Sequence, residues 1–368
     1  MTPEEVADKA RQKLRDDRKR KLRDDRAIRR ELDEEERGTV AVPDGVTLTE
    51  LLAEPDDEAP WRIDKCQPKQ SRVILAAQFK AGKTTIVANL IRSLRDGDPF
   101  LGKYTVEPVE GTIALLDFEM GKNQLKRWYR EHRIQETDRV VIWPMRGQAA
   151  SFNLADLRVR AQWVERLRAL GVTYLIVDCL RPILDALGLD EHHDVGAFLV
   201  PLDALLAEAG IPDAIVVHHM GHTNERSRGD SRLRDWPDVE WRLTRKDDDD
   251  PASARFITAY GRDVDVPEQG LGYDATTRRL TVIGGSRREV KVGDALPAVL
   301  AFIAAEDAPS RNQIVNGLKD SGYAQNILKA AIKAGIATGK IVTTDGKRGA
   351  QLHSVVTEAT FMREEVPL

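Results

Sequence analysis

The sequence has few of the residues and patterns that define several common protein classes. Its two cysteines, Cys66 and Cys179, have no paired spacing, so neither a disulfide framework nor a cysteine-based zinc site is expected. No apolar run approaches the roughly 18 residues of a membrane-spanning helix, and the N-terminal residues lack the apolar stretch of a signal peptide. We therefore expect no membrane partner and a cytoplasmic location.

Aromatic residues and net positive charge are also scarce. Aromatic side chains make up 5% of the chain and the formal net charge is -4, which argues against a uniformly basic coat for nucleic acid. Any contact with nucleic acid must therefore come from local patches. The length of 368 residues is sufficient for one large core and a small second domain.

Charged residues dominate residues 1–40. The hexapeptide Lys-Leu-Arg-Asp-Asp-Arg at 13–18 is repeated at 21–26, and acids and bases three or four residues apart favour a helix. We predict a charged helical tail that is solvated or, alternatively, a basic arm that contacts DNA or a partner protein. The interleaved acids argue against strong affinity for phosphate.

A phosphate-binding motif lies between Ser71 and Leu90. The apolar run 72–77 has the composition of a buried parallel strand, and a Gly-Lys-Thr-Thr turn and a helical pattern follow it. In such a motif backbone N–H groups surround the phosphates, Lys83 reaches the outer ones, and the Thr84 hydroxyl coordinates Mg2+. The sequence therefore predicts binding of ATP and Mg2+. The predicted phosphate-binding residues are Ala77, Gln78, Phe79, Lys80, Ala81, Gly82, Lys83, Thr84 and Thr85.

Alternating strand and helix patterns around this motif predict an α/β core with a mostly parallel sheet covered on both faces. The further predicted strands are 112–117, 140–142, 174–178 and 214–218, with helices at 157–170 and 195–209. Segments 239–243 and 254–258 predict appended antiparallel strands. We assign residues 41–285 to this domain.

A separate unit is predicted for residues 290–357. Helical patterns at 295–305, 310–318 and 323–334 precede strands at 340–344 and 350–355, which are joined through Asp345-Gly346, a strong hairpin signal. Three helices and a β-ribbon predict a winged-helix-like domain, and Gly284-Gly285-Ser286 with the charges after it predicts a linker. Exposed positions on the third helix can face a DNA major groove, although winged helices also dock proteins. These positions are Gln325, Asn326, Lys329 and Lys333.

Hydrolysis of ATP requires a second magnesium anchor, a base that orients water, and a group that stabilises the transition state. Asp178 ends a predicted apolar strand and suits the magnesium anchor. Glu119 lies just past a strand that we expect to neighbour the phosphate loop, where a carboxylate can orient the attacking water. The alternative for Glu119 is an acid favoured by a helix N-terminus.

The segment after the fifth predicted strand contains histidines and arginines. Strand alternation places His218 and His219 on opposite faces, and no cysteine or carboxylate is near them in sequence, so we favour a terminal-phosphate sensor at His219 over a zinc site. The loop 221–235 contains Arg226, Arg228, Arg232 and Arg234, and we predict that it supplies one of these arginines to a neighbouring subunit's nucleotide. The alternative is a solvated basic loop.

Taken together, these segments resemble the RecA-type ATPases and, among them, the RepA-like group, which is named for hexameric plasmid replicative helicases. The resemblance covers roughly residues 45–245. It rests on the segments Ala77–Thr84, Leu116–Met120, Leu175–Asp178, Asp190–Asp194, Val217–His219 and Arg228–Ser231. This chain departs from the family pattern with Ala77 in place of glycine, Lys80 within the loop, and Asp230 in place of serine.

The resemblance implies a role for each matched residue. Lys83 and Thr84 would bind phosphate and magnesium, and Asp178 would coordinate the metal. Glu119 would be the catalytic base. His219 would couple the nucleotide state to the following loop. The arginine finger would be Arg226 or Arg228.

The resemblance also implies a homo-oligomeric ring, with a hexamer suspected, ATP sites at the subunit interfaces, and single-stranded DNA through the centre. We therefore expect an ATP-hydrolysing motor acting on DNA, a replicative helicase of a plasmid, phage or integrated element, with duplex DNA as a second partner of the winged helix. An ATP-switched DNA-binding initiator or regulator and an ATP-dependent protein scaffold are the alternatives. The acidic residues at 190–194 argue against a surface that tracks phosphates.

Overall fold

The structure is a computed structural model that describes residues 44–55, 60–220, 232–247, 250 and 253–356. The chain divides into two compact units, residues 1–58 and 59–368. The described part of the first unit contains helix α1 (Leu48–Ala53), which begins with a capping box between Thr47 and Glu50. The predicted tail at 1–40 lies outside the described residues.

The second unit alternates strands and helices along the chain. Its strands are β1 (Trp61–Ile63), β2 (Gln67–Pro68), β3 (Arg72–Ala77), β4 (Thr112–Asp117), β5 (Val140–Pro144), β6 (Val172–Asp178), β7 (Asp213–His219), β8 (Val239–Arg245), β9 (Arg255–Gly261), β10 (Asp265–Asp274), β11 (Arg279–Val282), β12 (Ile341–Asp345) and β13 (Gln351–Val355). Its helices are α2 (Lys83–Asp96), α3 (Lys122–His132), α4 (Leu157–Ala169), α5 (Leu180–Leu187), α6 (Gly196–Ala209), α7 (Arg232–Asp235), α8 (Arg287–Ala305), α9 (Arg311–Gly317) and α10 (Gln325–Ala337).

A nine-stranded sheet in the order β11-β10-β9-β8-β3-β7-β6-β4-β5 forms the centre of this unit. From β8 to β5 every pair of neighbours is parallel, and β9, β10 and β11 are added antiparallel. This confirms the prediction of an α/β core with a mostly parallel sheet and appended antiparallel strands. Strand β8 differs in one respect, because it pairs parallel with β3 on one side and antiparallel with β9 on the other.

The position of β4 in the sheet corrects one prediction. The sequence predicts that β4 neighbours the strand before the phosphate loop, but β3 lies between β7 and β8, and β4 lies between β5 and β6. A parallel strand that is buried on both faces has the same apolar pattern at any central position, so its neighbours cannot be derived from that pattern. The turn after β4 nevertheless lies at the same edge of the sheet as the phosphate loop.

Apolar side chains bury both faces of the sheet. In β3, Val73 and Leu75 belong to one apolar cluster and Ile74 belongs to another, as alternation along a strand requires. The first cluster contains Trp241, whose ring stacks on Phe100 with centroids 5.1 Å apart. A sheet held from both sides fixes the carboxyl ends of its parallel strands, where ligands bind in open α/β sheets.

The C-terminal part of the unit contains α8, α9, α10 and the antiparallel pair β12–β13 around its own apolar cluster. The charged residues after Ser286 are not a linker as predicted; they form the first turns of α8, which begins with a capping box between Ser286 and Glu289. The two strands are connected through a short 3-10 turn, Lys347–Gly349, rather than by a two-residue turn. The winged-helix assignment remains a prediction.

None of the helices in the described ranges combines the length and apolarity needed to cross a lipid bilayer.

Acid sensitivity is expected from His132 at the end of α3. Its ring is buried, Nε2 has no hydrogen-bond partner among the described residues, and burial followed by the nearby Arg278 cation lowers its pKa to about 4. The unfolded chain protonates this ring near pH 6.5 and the folded chain does not, so stability falls as pH falls from 6.5 to 4, by at most about 1.4 kcal/mol per pH unit. In urea unfolding over this window, His132→Phe should lose less stability than the wild type. Equal losses of stability in the variant and the wild type would show that His132 is not the source of the acid sensitivity.

Candidate nucleotide-binding and hydrolysis site

The loop between β3 and α2 has the backbone geometry of a phosphate cradle. Gly82 is the N-cap of α2 with φ of 107°, a conformation that side chains other than hydrogen disfavour. No side chain caps this helix, and its first N–H groups have no intrahelical partner. Free N–H groups at the positive end of a helix dipole favour bound phosphate.

A cavity of about 470 Å³ lies over this loop. Residues 79–85, which include Lys83 and Thr84, line it together with Glu119 and His219. The structure therefore brings most of the predicted site residues into one cavity, although they come from three strands that are separated in sequence.

Two of the predicted phosphate-binding residues do not line this cavity. Ala77 ends β3 with its methyl group fully buried in the core, at the position where the usual motif has glycine. Gln78 points toward β8, where its Oε1 accepts a hydrogen bond from the backbone N–H of Arg245 at 2.6 Å. Arg226 and Arg228 lie outside the described residues.

A chain of hydrogen bonds connects the phosphate loop to the end of β4. Lys83 Nζ lies 3.0 Å from His219 Nδ1, and His219 Nε2 lies 3.0 Å from Glu119 Oε1. Because an ammonium group can only donate, Nδ1 accepts and the ring proton lies on Nε2, which donates to Glu119. Cys179 Sγ donates to the same carboxylate oxygen at 3.2 Å.

Glu119 is held as an ionised carboxylate by these partners. The hydrogen bond from His219 is the largest factor that lowers its pKa to about 2; burial opposes the shift, and Cys179 and Lys83 support it. Its side chain is still 37% exposed, so water has access to it. Glu119 does not act as an acid at a helix N-terminus, because α3 begins at Lys122 and the Glu119 carboxylate is bonded to His219.

Asp117 positions Glu119. Its Oδ1 accepts hydrogen bonds from the backbone N–H groups of Glu119 at 3.0 Å and Met120 at 2.7 Å. The backbone N–H of Phe118 donates to the carbonyl of Asp178 at 2.6 Å, which fixes the turn to β6. This role of Asp117 was not predicted, although an acid that ends a strand directly before a turn is a common turn signal.

Asp178 has a buried carboxyl group whose surroundings disfavour its ionised form. It is 2% exposed, and burial followed by the neighbouring carboxylates of Asp117 and Glu119 raises its pKa to about 8. Its Oδ1 is buried without a hydrogen-bond partner among the described residues, which is costly for a polar atom. Oxygen ligands of this kind fit Mg2+, and Asp178 with the Thr84 hydroxyl would hold it.

A zinc site is a separate possibility that the sequence analysis disfavoured because no cysteine or carboxylate is near the histidines in sequence. In the fold, ligand atoms of Glu119, Cys179 and His219 lie within 4.8 Å of one another. The bond from Lys83 keeps the proton on His219 Nε2, however, so this nitrogen offers no lone pair to a metal. His218 lies on the opposite face of β7, where its Nε2 is 3.5 Å from Glu191 Oε1.

The rest of the cavity wall was not predicted from the sequence. Arg255 lies beside the phosphate loop and its Nε donates to the carbonyl of Ala81 at 2.9 Å. Trp128, Tyr273 and Leu280 form an apolar and aromatic part of the wall. These residues come from α3 and from the antiparallel strands, and no motif in the sequence connects them to the loop.

Fold and site together define a P-loop ATPase in which the phosphate-loop strand and the strand of the buried aspartate are separated by one other strand. A family model described as an AAA domain (AAA_25) matches residues 34–225, which is slightly more than half of the chain. The chain therefore belongs to this group of RecA-type P-loop ATPases. Such families generally use ATP and Mg2+.

Comparisons with individual proteins add little. No curated protein sequence matches the chain. Among solved structures, a KaiC-like protein from the hyperthermophilic archaeon Pyrococcus horikoshii OT3 is similar with 16% sequence identity and a TM-score of 0.43. The match covers 60% of this chain and 93% of that one. At this score the likeness carries no inference about activity or partners.

Proposed function

We propose that the chain hydrolyses ATP at this site and that Glu119 is the group that orients the attacking water. The observation that supports this most directly is the ionised Glu119 carboxylate, which is fixed by His219 and Cys179 at the edge of the phosphate cavity. An anchored acceptor beside a phosphate cradle is what water activation requires.

The other residues of the site bind and orient the nucleotide in this mechanism. The N–H groups at the start of α2 and the Lys83 ammonium hold the phosphates, and Asp178 and Thr84 hold Mg2+. Bound magnesium neutralises charge on the phosphate oxygens. Asp117 keeps the turn that carries Glu119 in place.

His219 makes water activation depend on the nucleotide. A carboxylate with a pKa near 2 is a weak proton acceptor, and its largest stabilising contact is the His219 Nε2–H. When Lys83 donates to a phosphate instead of to Nδ1, the imidazole loses the contact that fixes its tautomer and orientation. The Glu119 carboxylate is then free to take a water proton. His219 also precedes the segment 221–231, which contains Arg226 and Arg228, and so connects the phosphate to the proposed finger.

We further propose that the ATPase acts on DNA as a homo-oligomer, a ring of about six subunits of the replicative-helicase kind, in which Arg226 or Arg228 completes a neighbour's site. In its support, Arg255 is the one arginine lining the cavity among the described residues, and its Nε is already bonded to the loop. An arginine from a neighbouring subunit would add a cation that can stabilise transition-state charge. The exposed polar positions of α10 favour a second candidate, a DNA-binding switch that does not unwind.

The test measures ATPase rate with and without single-stranded DNA, with the mass in solution determined in ATP, and strand displacement on a forked substrate. A several-fold stimulation, an oligomer and strand displacement are expected of the motor. Stimulation without displacement would favour the switch. A rate indifferent to DNA would contradict both and favour a protein scaffold. Lys83→Ala, expected to be inactive, controls for contaminating ATPase.

The aromatic wall of the cavity predicts a nucleobase contact. Stacking of a base on an aromatic ring contributes about 1–3 kcal/mol by alanine substitution, so Trp128→Ala should raise the KM for ATP on the order of tenfold with little change in kcat. Inorganic tripolyphosphate has no base and should inhibit the variant and the wild type equally. Tyr273→Ala is the parallel variant if Trp128→Ala folds poorly. If the variant weakened inhibition by tripolyphosphate as much as it weakened ATP binding, the effect would be a general one on the phosphate loop, and the base contact would be refuted.

A further inference from the structure

A second cavity, of about 760 Å³, lies where the end of β8 faces α8 and the start of α10. Its lining contains four cationic side chains, Arg245, Lys246, Arg287 and Lys291, and two carboxylates, Asp247 and Asp294. The lining therefore carries an excess of positive charge in a chain whose formal net charge is -4. We call this cavity the basic crevice.

Two of the four cations in the basic crevice are held in place by acidic partners. Lys246 pairs with Asp294, and Arg287 Nε lies 2.7 Å from Glu268 Oε2. Lys291 is exposed on α8. Because the paired cations are already fixed, they and the exposed Lys291 give the crevice a positive potential before a ligand binds.

The positive end of α10 opens into the same crevice. Gly322, Tyr323, Ala324 and Asn326 line it, and the N-cap residue Ala324 has no side-chain acceptor for the first N–H groups. The Tyr323 hydroxyl donates to the carbonyl of Asp294 at 3.0 Å, which fixes the start of α10 against α8. Free N–H groups and the helix dipole add to the field of the four cations.

The exposed residues of α10 extend this chemistry beyond the cavity. Asn326, Lys329 and Lys333 are exposed and lie at spacings that place them on one helix face. Successive members are separated by about 4.5–6 Å along the helix axis. A row of cations leading out of a basic cavity fits a polyanion better than a single small anion.

The phosphate loop connects the basic crevice to the nucleotide site. Gln78 lines the crevice and belongs to the phosphate loop, while its neighbour Phe79 lines the nucleotide cavity. The Gln78 backbone N–H donates to the carbonyl of Leu243 at 3.1 Å, and its Oε1 accepts from the N–H of Arg245. A ligand that shifts the end of β8 therefore acts on the phosphate loop through Gln78, whose backbone and side chain both bond to β8.

We propose that the basic crevice binds the phosphodiester backbone of a nucleic acid, which continues along Lys329 and Lys333 of α10, and that Gln78 transmits its occupancy to the phosphate loop. This inference rests on the proposal that the ATPase acts on DNA. It places the contact at the junction between the sheet and the C-terminal helices.

The first test measures binding of fluorescein-labelled 30-nucleotide single-stranded and duplex DNA by anisotropy, with the full chain. Lys291→Glu is expected to weaken binding on the order of tenfold and to reduce the slope of log affinity against log salt by about 1. Asn326→Asp puts an acid in the first turn of α10, which stabilises a helix but repels phosphate. Weaker DNA binding by Asn326→Asp with an unchanged or higher Tm therefore cannot result from unfolding.

Lys340→Glu is the matched control, because Lys340 is an exposed lysine just past the opposite end of α10, about 20 Å from Asn326. It should bind DNA as the wild type does. Equal weakening by all three variants, or wild-type affinity in Lys291→Glu and Asn326→Asp, would overturn the basic crevice alone. A changed KM for ATP with unchanged DNA affinity would overturn it in favour of a nucleotide contact. Absence of DNA binding by the wild type would overturn the DNA-acting proposal as well.

The second test addresses transmission. Gln78→Ala removes the side chain that connects the phosphate loop to the end of β8. The variant should retain DNA affinity within about twofold while DNA no longer changes the ATPase rate. Stimulation equal to that of the wild type would show that Gln78 does not carry the coupling.

Discussion

Replacing Glu119 with glutamine is expected to lower the ATPase rate by about 10²–10⁴-fold while ATP binding is retained. Glutamine has nearly the same size and still accepts hydrogen bonds, so the bond from His219 Nε2–H can persist. It cannot take a proton from water. Single-turnover hydrolysis and equilibrium binding of a fluorescent ATP analogue separate the two effects.

Glu191→Gln is the matched control for this prediction. Glu191 also lies near a histidine of β7, at 3.5 Å from His218, but on the opposite face of the sheet from the phosphate loop. Its replacement should leave the ATPase rate within a few fold of the wild-type rate. Normal turnover in Glu119→Gln would refute the assignment of the base, and loss of ATP binding in that variant would show that Glu119 supports the cavity rather than the chemistry.

The site residues that were correctly predicted to be neighbours lie at the ends of strands or within short sequence motifs. Lys83 and Thr84 follow a strand and a five-residue loop, and Glu119 and His219 lie at or just past strand ends. The rule that carboxyl ends of parallel strands share an edge therefore brings them together. The residues that were missed reach the site through tertiary packing. Arg255 comes from an antiparallel strand whose register with the phosphate loop has no local signal.

Two differences in the fold have distinct origins. The place of β4 in the sheet could not be derived, because its all-buried pattern fits any central position. The start of α8 could have been found, because Ser286-Arg287-Arg288-Glu289 has the serine and glutamate spacing of a capping box. The adjacent glycines, which favour a loop, outweighed that signal. The local sequence was thus sufficient to predict where α8 begins, but it was not sufficient to predict the order of the strands in the sheet.

Asp178→Asn is expected to abolish Mg2+-dependent hydrolysis and, in the same molecule, to stabilise the magnesium-free protein. The activity is lost because the amide removes the anionic ligand of the metal. The stability rises because wild-type Asp178 is a buried carboxyl whose pKa is raised from 3.8 to about 8 by burial and by its acidic neighbours. Function and stability are therefore opposed at this residue.

The stability advantage of Asp178→Asn over the wild type is expected to depend on pH. Between about pH 4 and pH 8 the folded state keeps a proton on Asp178 that the unfolded state has released, so the wild type loses stability as pH rises, by about 1.4 kcal/mol per pH unit. Asparagine does not titrate. The difference in free energy of unfolding between variant and wild type should thus grow across this window and be largest near pH 8, measured by urea unfolding in EDTA.

Asp185→Asn is the control, since Asp185 forms an exposed ion pair with Arg181. Its pH profile should run parallel to that of the wild type. A parallel profile for Asp178→Asn would show that burial does not raise the pKa of this carboxyl. Addition of Mg2+ and a non-hydrolysable ATP analogue should stabilise the wild type far more than Asp178→Asn, because bound ligand stabilises only the state that binds it. The buried carboxyl that costs stability when it loses its proton is then the same group that would hold the divalent cation.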